Sequence, residues 1–368
     1  MKNIGFIIVT RTLFFFLLAS SFFNCTNTRS KRANGSNIIN QETYNGFAVS
    51  DFCRSLSAGN RILEEEDWNV WCFSPIWGED GKVHAFLSRW RDDNFHNWLT
   101  ESEIAHAVAD HPEGPYTVTR TVLTGRGEGF WDAHTIHNPT VYKVGDKYAL
   151  FYIGNNLTLA EQNNAHHAST QRVGLAIADS LTGEWRRVSD ELRILDTSPD
   201  KSEWDSYLTT NPALLLHPNG EYWLYYKAWD RNNDNLRKMG LAIAQNIEGP
   251  YVKHPDNPLV DFSHLNRQVE DAYVFFYNNK FYMVMRDMGV IHPHVGLLLE
   301  SDDGITWSEP MLGYHNNAYY FGGDIKRFER PQVLMKDGVP THLFLSLMGG
   351  KYNTSSAAVL KIDASKLK

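Results

Sequence analysis

Of the chain's 368 residues, 42% are hydrophobic and 13% aromatic, which is enough apolar material for a packed core and too much for a disordered main body. The net charge of −8, with no long run of one sign, argues against a nucleic-acid partner, whose phosphates require a basic face. Length alone suggests two or three domains, although closed all-β folds absorb such a length as one.

The chain opens on a targeting pattern. MKNIGFIIVTR carries Lys2 and Arg11, and the apolar LFFFLLASSFF (13–23) that follows is too short to span a bilayer comfortably, so residues 1–24 read as a signal peptide. After Asn24-Cys25 the sequence TNTRSKRANGSN is polar and Ser/Asn-rich, and residues 25–43 read as a linker. The junction resembles a bacterial lipoprotein signal, in which the cysteine becomes the lipidated first residue. That implies an exported protein, periplasmic or attached to the outer membrane of a Gram-negative bacterium, touching membrane only through a lipid on Cys25. Lipidation of Cys25 would leave Cys53 and Cys72, of three cysteines in all, as one candidate bridge.

From residue 44 onward one phrase repeats. WDAHTIHNPT (131–140) returns as WDSYLTTNPA (204–213), each followed by a β-rich run, a turn and a second β-rich run. Aligned on the proline, units begin at Cys72, His137 and Thr210; weaker copies begin at Glu270, where Ala272 replaces the proline, and at Glu329. Turns containing Gly, Asn or Asp between the runs signal hairpins. A second apolar strand recurs downstream as AHAVADHPEGPYTV, VGLAIADSLTGEWRRV, MGLAIAQNIEGPYVKH and VGLLLESDDGITWSEP, each with a polar turn and an aromatic opening a fourth strand. The last unit ends on SSAAVLKID and lacks that strand, which the segment YNGFAVSDF from Tyr44 is placed to supply. Five four-stranded antiparallel sheets that cannot bury their faces alone predict an all-β, five-bladed β-propeller over residues 44–368.

In a propeller the first strand of every blade lines the axis, so residues where it begins converge on one pocket. Read across the blades these are Ser74, Asn138, Asn211, Asp271 and Arg330, preceded by Phe73, His137, Thr210, Glu270 and Glu329. Asp132 and Asp205 lie in the approach loops. Core strands have no structural need for carboxylates there, and burying one unpaired is costly. Several around one pocket are what glycosidic-bond cleavage requires, one to protonate the leaving oxygen and another to activate water. Because neighbouring strand residues point opposite ways, one member of each pair Glu270/Asp271 and Glu329/Arg330 is expected to be structural.

The blade repeats and the stretches VEDAYV and FERPQV resemble the five-bladed glycoside hydrolases of families 43 and 117. The resemblance implies hydrolysis of plant or algal oligosaccharides, exo-acting and inverting, with an early-blade Asp as base, an Asp that tunes pKa values, and an acid in a later blade. Asp271 matches the tuning Asp of family 117, Glu270 resembles the Glu of the family 43 motif, and Glu329 falls in the acid region. Ser74 stands where the base Asp is expected, which moves that role to Asp132 or Asp205 or else leaves a sugar-binding propeller without turnover; a polysaccharide lyase on the same scaffold is the third reading. Substrate contacts are expected from Ser74, His134, His137, Asn138, Asn211, Arg330, Trp71, Trp131 and Trp204. No cofactor is required on this reading, no metal ligands are assigned, and a structural calcium ion in the central channel is the one addition considered.

Overall fold

The computed structural model describes residues 42–91, 95–156, 170–191, 193–232 and 234–367. The expected signal peptide, Cys25 and nearly all of the linker lie outside them.

Five antiparallel sheets of four strands follow one another in chain order. From innermost to outermost strand, blade I is Trp68–Trp77, Val83–Arg91, Glu103–Ala109 and Thr117–Leu123. Blade II is Thr135–Val144, Lys147–Asn155, Arg172–Ala178 and Arg186–Arg187, and blade III is Leu208–Leu216, Tyr222–Trp229, Lys238–Ala244 and Val252–Lys253. Blade IV is Val269–Tyr277, Lys280–Asp287, Gly296–Ser301 and Met311–Tyr314. Blade V takes Glu329–Lys336, Val339–Met348 and Ser355–Ile362 from the end of the chain and Leu56–Ile62 from its beginning. The hairpin turns use the expected chemistry: Asn278-Asn279 and Asp337-Gly338 carry positive φ at both central positions, matching the twist of the strands they join.

The segment that closes the ring is not the expected one. Residues 44–52 lie against blade IV: Thr43–Tyr44 and Phe47–Ala48 form a small hairpin, Val49 bridges Leu312, and Ser50 caps the short helix Asp51–Ser55. The strand Leu56–Ile62 (LSAGNRI) buries little besides Leu56 and Ile62 at its two ends. An outermost strand has little to pack against, so its sequence carries only a faint β signature.

Packing runs between blades. Five buried clusters occupy the five junctions: Leu150, Tyr152 and Phe86 between blades I and II, for example, and Leu298, Tyr282, Leu345 and Leu343 between IV and V. Each such side chain contributes about 1.5–3 kcal/mol on burial. Cys53 sits in the junction of blades III and IV, whereas Cys72 is at the axis, so the candidate bridge is absent and both are free buried thiols.

Candidate active site

Every innermost strand carries a bulge at the same place. The ladder slips between Trp71 and Ser74, His137 and Thr140, Thr210 and Ala213, Glu270 and Tyr273, and Glu329 and Gln332. In each, one residue has positive φ: Cys72 (52°), Asn138 (52°), Asn211 (50°), Asp271 (64°) and Arg330 (52°). Such backbone is uncommon outside glycine and collects at functional sites. The bulges correct the expected register in blade I, where Cys72 and Trp71 take the positions assigned to Ser74 and Phe73. The proline misleads there: Pro139, Pro212 and Pro331 follow the bulge directly, but Pro75 comes three residues after Cys72. Ser74 is buried between blades, accepting from the Val141 amide at 3.0 Å.

The bulge residues form a closed hydrogen-bonded ring about the axis. Asn138 Nδ2 donates to Asn211 Oδ1 (3.1 Å), Asn211 Nδ2 to Asp271 Oδ1 (2.6 Å), and Arg330 Nη1 to the same oxygen (3.3 Å). Arg330 Nε donates to Cys72 Sγ (3.1 Å), whose thiol donates to the Pro139 carbonyl (3.3 Å). Burial pushes the Cys72 thiol up, opposed by Arg330, so it stays neutral and can donate.

Above this ring lies a cavity of about 590 Å³. One wall is aromatic: Trp71, Trp90, Phe95 and Trp98, with Phe95 edge-on to Trp71 at 5.8 Å and Trp98 edge-on to His137 at 5.0 Å. The other, from blades III to V, is charged and contains Lys227, Arg237, Glu270, Asp271, Arg286, Glu329 and Arg330. Aromatic rings able to stack on a sugar thus share one cavity with the groups able to act on its bonds. The expectation that only one of Glu270/Asp271 and one of Glu329/Arg330 faces the pocket fails, since all four line it. Strict alternation holds for a regular strand, and the bulge suspends it.

The two glutamates have opposed electrostatics. Burial alone would raise the Glu270 carboxyl, but Lys227 Nζ (3.0 Å), Arg237 Nε (3.3 Å) and Arg286 surround it and hold it far below the usual range. Glu329 is raised instead by burial, with Asp271 and Glu270 adding to the effect against Arg286 (3.2 Å) and Arg327. Across the axis in blade II, burial followed by Arg330 and Lys227 pushes His137 down to about 3, leaving a neutral imidazole.

One oxygen from each of Glu270, Asp271 and Glu329 lies within 4.8 Å of the others, a spacing compatible with a metal ion. The group does not fit calcium. Calcium takes six to eight oxygen ligands, and here the oxygens are occupied by Lys227, Arg286, Arg327, Arg330 and Asn211.

No protein-family model matches the chain. In sequence it is similar to an extracellular endo-α-(1→5)-L-arabinanase of Bacillus subtilis (strain 168), 26% identical over 251 residues that cover 62% of this chain and 49% of that protein. The chain spans about half the length of the curated relatives it matches. In structure it is similar to a family 117 glycoside hydrolase of the marine bacterium Zobellia galactanivorans, with TM-score 0.65 and 18% identity, covering 84% of this chain and 90% of that one. It is also similar to a family 43 β-xylosidase/α-arabinofuranosidase from a compost microbial metagenome, with TM-score 0.56 and 15% identity, covering 83% and 94%. The fold is that of the propeller glycoside hydrolases.

Of the residues expected in such a propeller's site, Trp71, His137, Asn138, Asn211, Glu270, Asp271, Glu329 and Arg330 line the cavity. Asp132 and Asp205 do not. Asp132 is fully buried and accepts from Arg126 Nε (2.6 Å), Arg187 Nε (2.9 Å) and the Tyr152 hydroxyl (3.0 Å). Asp205 does the same with Tyr226 (3.1 Å) and Lys253. Trp131 and Trp204 stack on those tyrosines at 6.0 and 5.6 Å. The repeated Trp-Asp frame therefore ties an approach loop to the second and fourth strands of its blade. His134 is likewise outside the cavity, bordering a separate depression 3.4 Å from Glu128.

Sequence reading missed Trp98, Gln171, Lys227, Arg237, Arg286, Lys326 and Arg327. A signal existed for two of them. Lys227 and Arg286 interrupt the apolar second strands LYYKAW and MVMRD, and they pair across the ladder with Thr210 and Glu270, immediately before the bulge residues.

Proposed function

We propose that the chain is a glycoside hydrolase that releases a terminal sugar from plant or algal oligosaccharides with inversion. The observation that carries this is the buried pair of glutamates, one pinned ionised by three cations and one pushed toward its protonated form, which is how a site separates an acid from an anion. Glu329 donates the proton to the departing glycosidic oxygen. Glu270 stays anionic and stabilises the positive charge that develops on the sugar ring, and Asp271 raises Glu329 while anchoring Arg330. His137 is the third residue of the innermost strand of blade II, across the five-fold ring from blades IV and V. Its neutral imidazole has both nitrogens buried without a partner among the described residues, so it takes the proton of the attacking water once substrate binding brings that water to it. Asp132 and Asp205, bound in ion pairs away from the cavity, have no part in this.

The proximity of Glu270 to Glu329 favours a second reading. Retaining enzymes hold their carboxyl groups about 5–5.5 Å apart and inverting ones about 6.5–9.5 Å, so a retaining site would use Glu270 as nucleophile. Both Glu270 oxygens are already bonded to Lys227 and Arg286, which opposes that role. Proton NMR of the first sugar released from a panel of plant and algal oligosaccharides decides: the inverted anomer is expected, the retained anomer transfers the role to Glu270, and binding without product removes the hydrolase reading.

Export and lipid attachment at Cys25 belong to the same proposal, supported by the hydrophobic leader and the polar segment after it. Labelling cells with a radioactive fatty acid is expected to mark the protein and to leave Cys25→Ala unmarked; equal labelling of both would remove the anchor.

A further inference from the structure

The cavity's charge is opposite to the chain's. Six cations, Lys227, Arg237, Arg286, Lys326, Arg327 and Arg330, face three carboxyl groups within it, an excess of three positive charges with Glu329 ionised and four with it protonated, in a protein of net charge −8. The carboxylates are already satisfied: Glu270 by Lys227 and Arg286, Glu329 by Arg286 and Arg327, and Asp271 by Arg330. Two cations have donors left over, Arg237 even though it also stands beside Glu270 and its Nη1 donates to Gln268 Oε1 at 3.2 Å. Lys326, half-buried at the rim, makes no ion pair among the described residues, and Arg237 Nε is buried without a hydrogen-bond partner although it lies 3.3 Å from Glu270. Arg286 Nε is also unpartnered. Unsatisfied buried guanidinium N–H groups are costly, and a neutral sugar offers hydroxyls but no charge to offset the excess.

We propose that the saccharide taken into this cavity is anionic, its carboxylate or sulfate received by Arg237 and Lys326. The inference rests on the reading of the cavity as a sugar site. An anion seated between these two residues forms charge-assisted hydrogen bonds with both, and guanidinium geometry suits the planar carboxylate and sulfate alike. The same field, confined by low-dielectric aromatic walls, draws anionic chains toward an otherwise acidic protein.

The test is calorimetric titration of the full chain carrying Glu329→Gln, so that binding is read apart from turnover. The probes are glucuronate against glucose, galacturonate against galactose, and galactose 6-sulfate. At least one anion is expected to bind about tenfold or more tightly than its neutral counterpart, since one charge-assisted bond is worth at least that factor. That preference is expected to shrink in raised salt and to fall about tenfold on adding Lys326→Ala or Arg237→Gln. Tight binding of the uronates alone assigns a carboxylate, and of the sulfate alone a sulfate. Equal binding of charged and neutral sugars, binding of none of the three anions, or a preference that survives both substitutions overturns the inference. Anion preference without hydrolysis of any oligosaccharide by the unmodified protein would retain it and remove the hydrolase reading; hydrolysis of neutral oligosaccharides alone would do the reverse.

Discussion

Replacing Glu329 by Gln is expected to lower turnover of an oligosaccharide by about 10²–10⁴-fold, the usual share of a general acid. The neutral amide keeps the size of the side chain but has no proton to give. A synthetic aryl glycoside whose phenolate leaves without protonation should be spared most of that loss, which separates a missing proton from a distorted pocket. The pH profile supplies the sign. Burial raises the Glu329 carboxyl, so the acid form persists above the ordinary glutamate range, and activity falls only as pH rises through that displaced value. The alkaline limb should vanish in Glu329→Gln. An aryl glycoside slowed as much as the oligosaccharide would place Glu329 in binding instead of proton transfer.

Asp132→Asn should act on stability and leave the site's chemistry alone. Its carboxylate is fully buried and is shared by Arg126, Arg187 and Tyr152, and removing one partner of a buried ion pair leaves uncompensated charge at a cost of about 3 kcal/mol. A lowered denaturant midpoint is expected, with kcat/KM unchanged at temperatures where the variant remains folded. Asp205→Asn should show a smaller effect of the same kind, because its cation Lys253 is about one-third exposed and better screened. A base would behave the opposite way. A loss of kcat at unchanged stability would return Asp132 to the catalytic set.

The blades were legible because each repeats a proline or near-proline frame, an Asn or Gly turn and an apolar third strand. Their innermost details were not, for three physical reasons. Backbone strain is invisible in a residue string, so the bulge that turns Glu270 and Asp271 to the same side could not be anticipated from strand alternation. Proline marks a conformation and not a fixed distance from the axis, and anchoring blade I on Pro75 put Ser74 where Cys72 stands. The charges that set the site's electrostatics come from second strands, where Lys227 and Arg286 read as lone interruptions of apolar runs. The Trp-Asp frame misled in the other direction. A recurring acid beside a recurring aromatic suggests chemistry, and here it recurs because two blades need the same brace.

Blade V joins the earliest strand of the propeller, Leu56–Ile62, to one of the last, Ser355–Ile362. During synthesis the first of these emerges with its backbone donors and acceptors unpaired, and it has no native neighbour until every other blade has been made. The ring is therefore a timing device: four blades can assemble in chain order from local hairpins, while closure waits for contacts between residues some three hundred positions apart. Until then the waiting strand and the half-made fifth blade are open edges, and Glu329, on the first strand of that blade, has no finished wall to hold it. A complete cavity and a closed ring then appear in the same step.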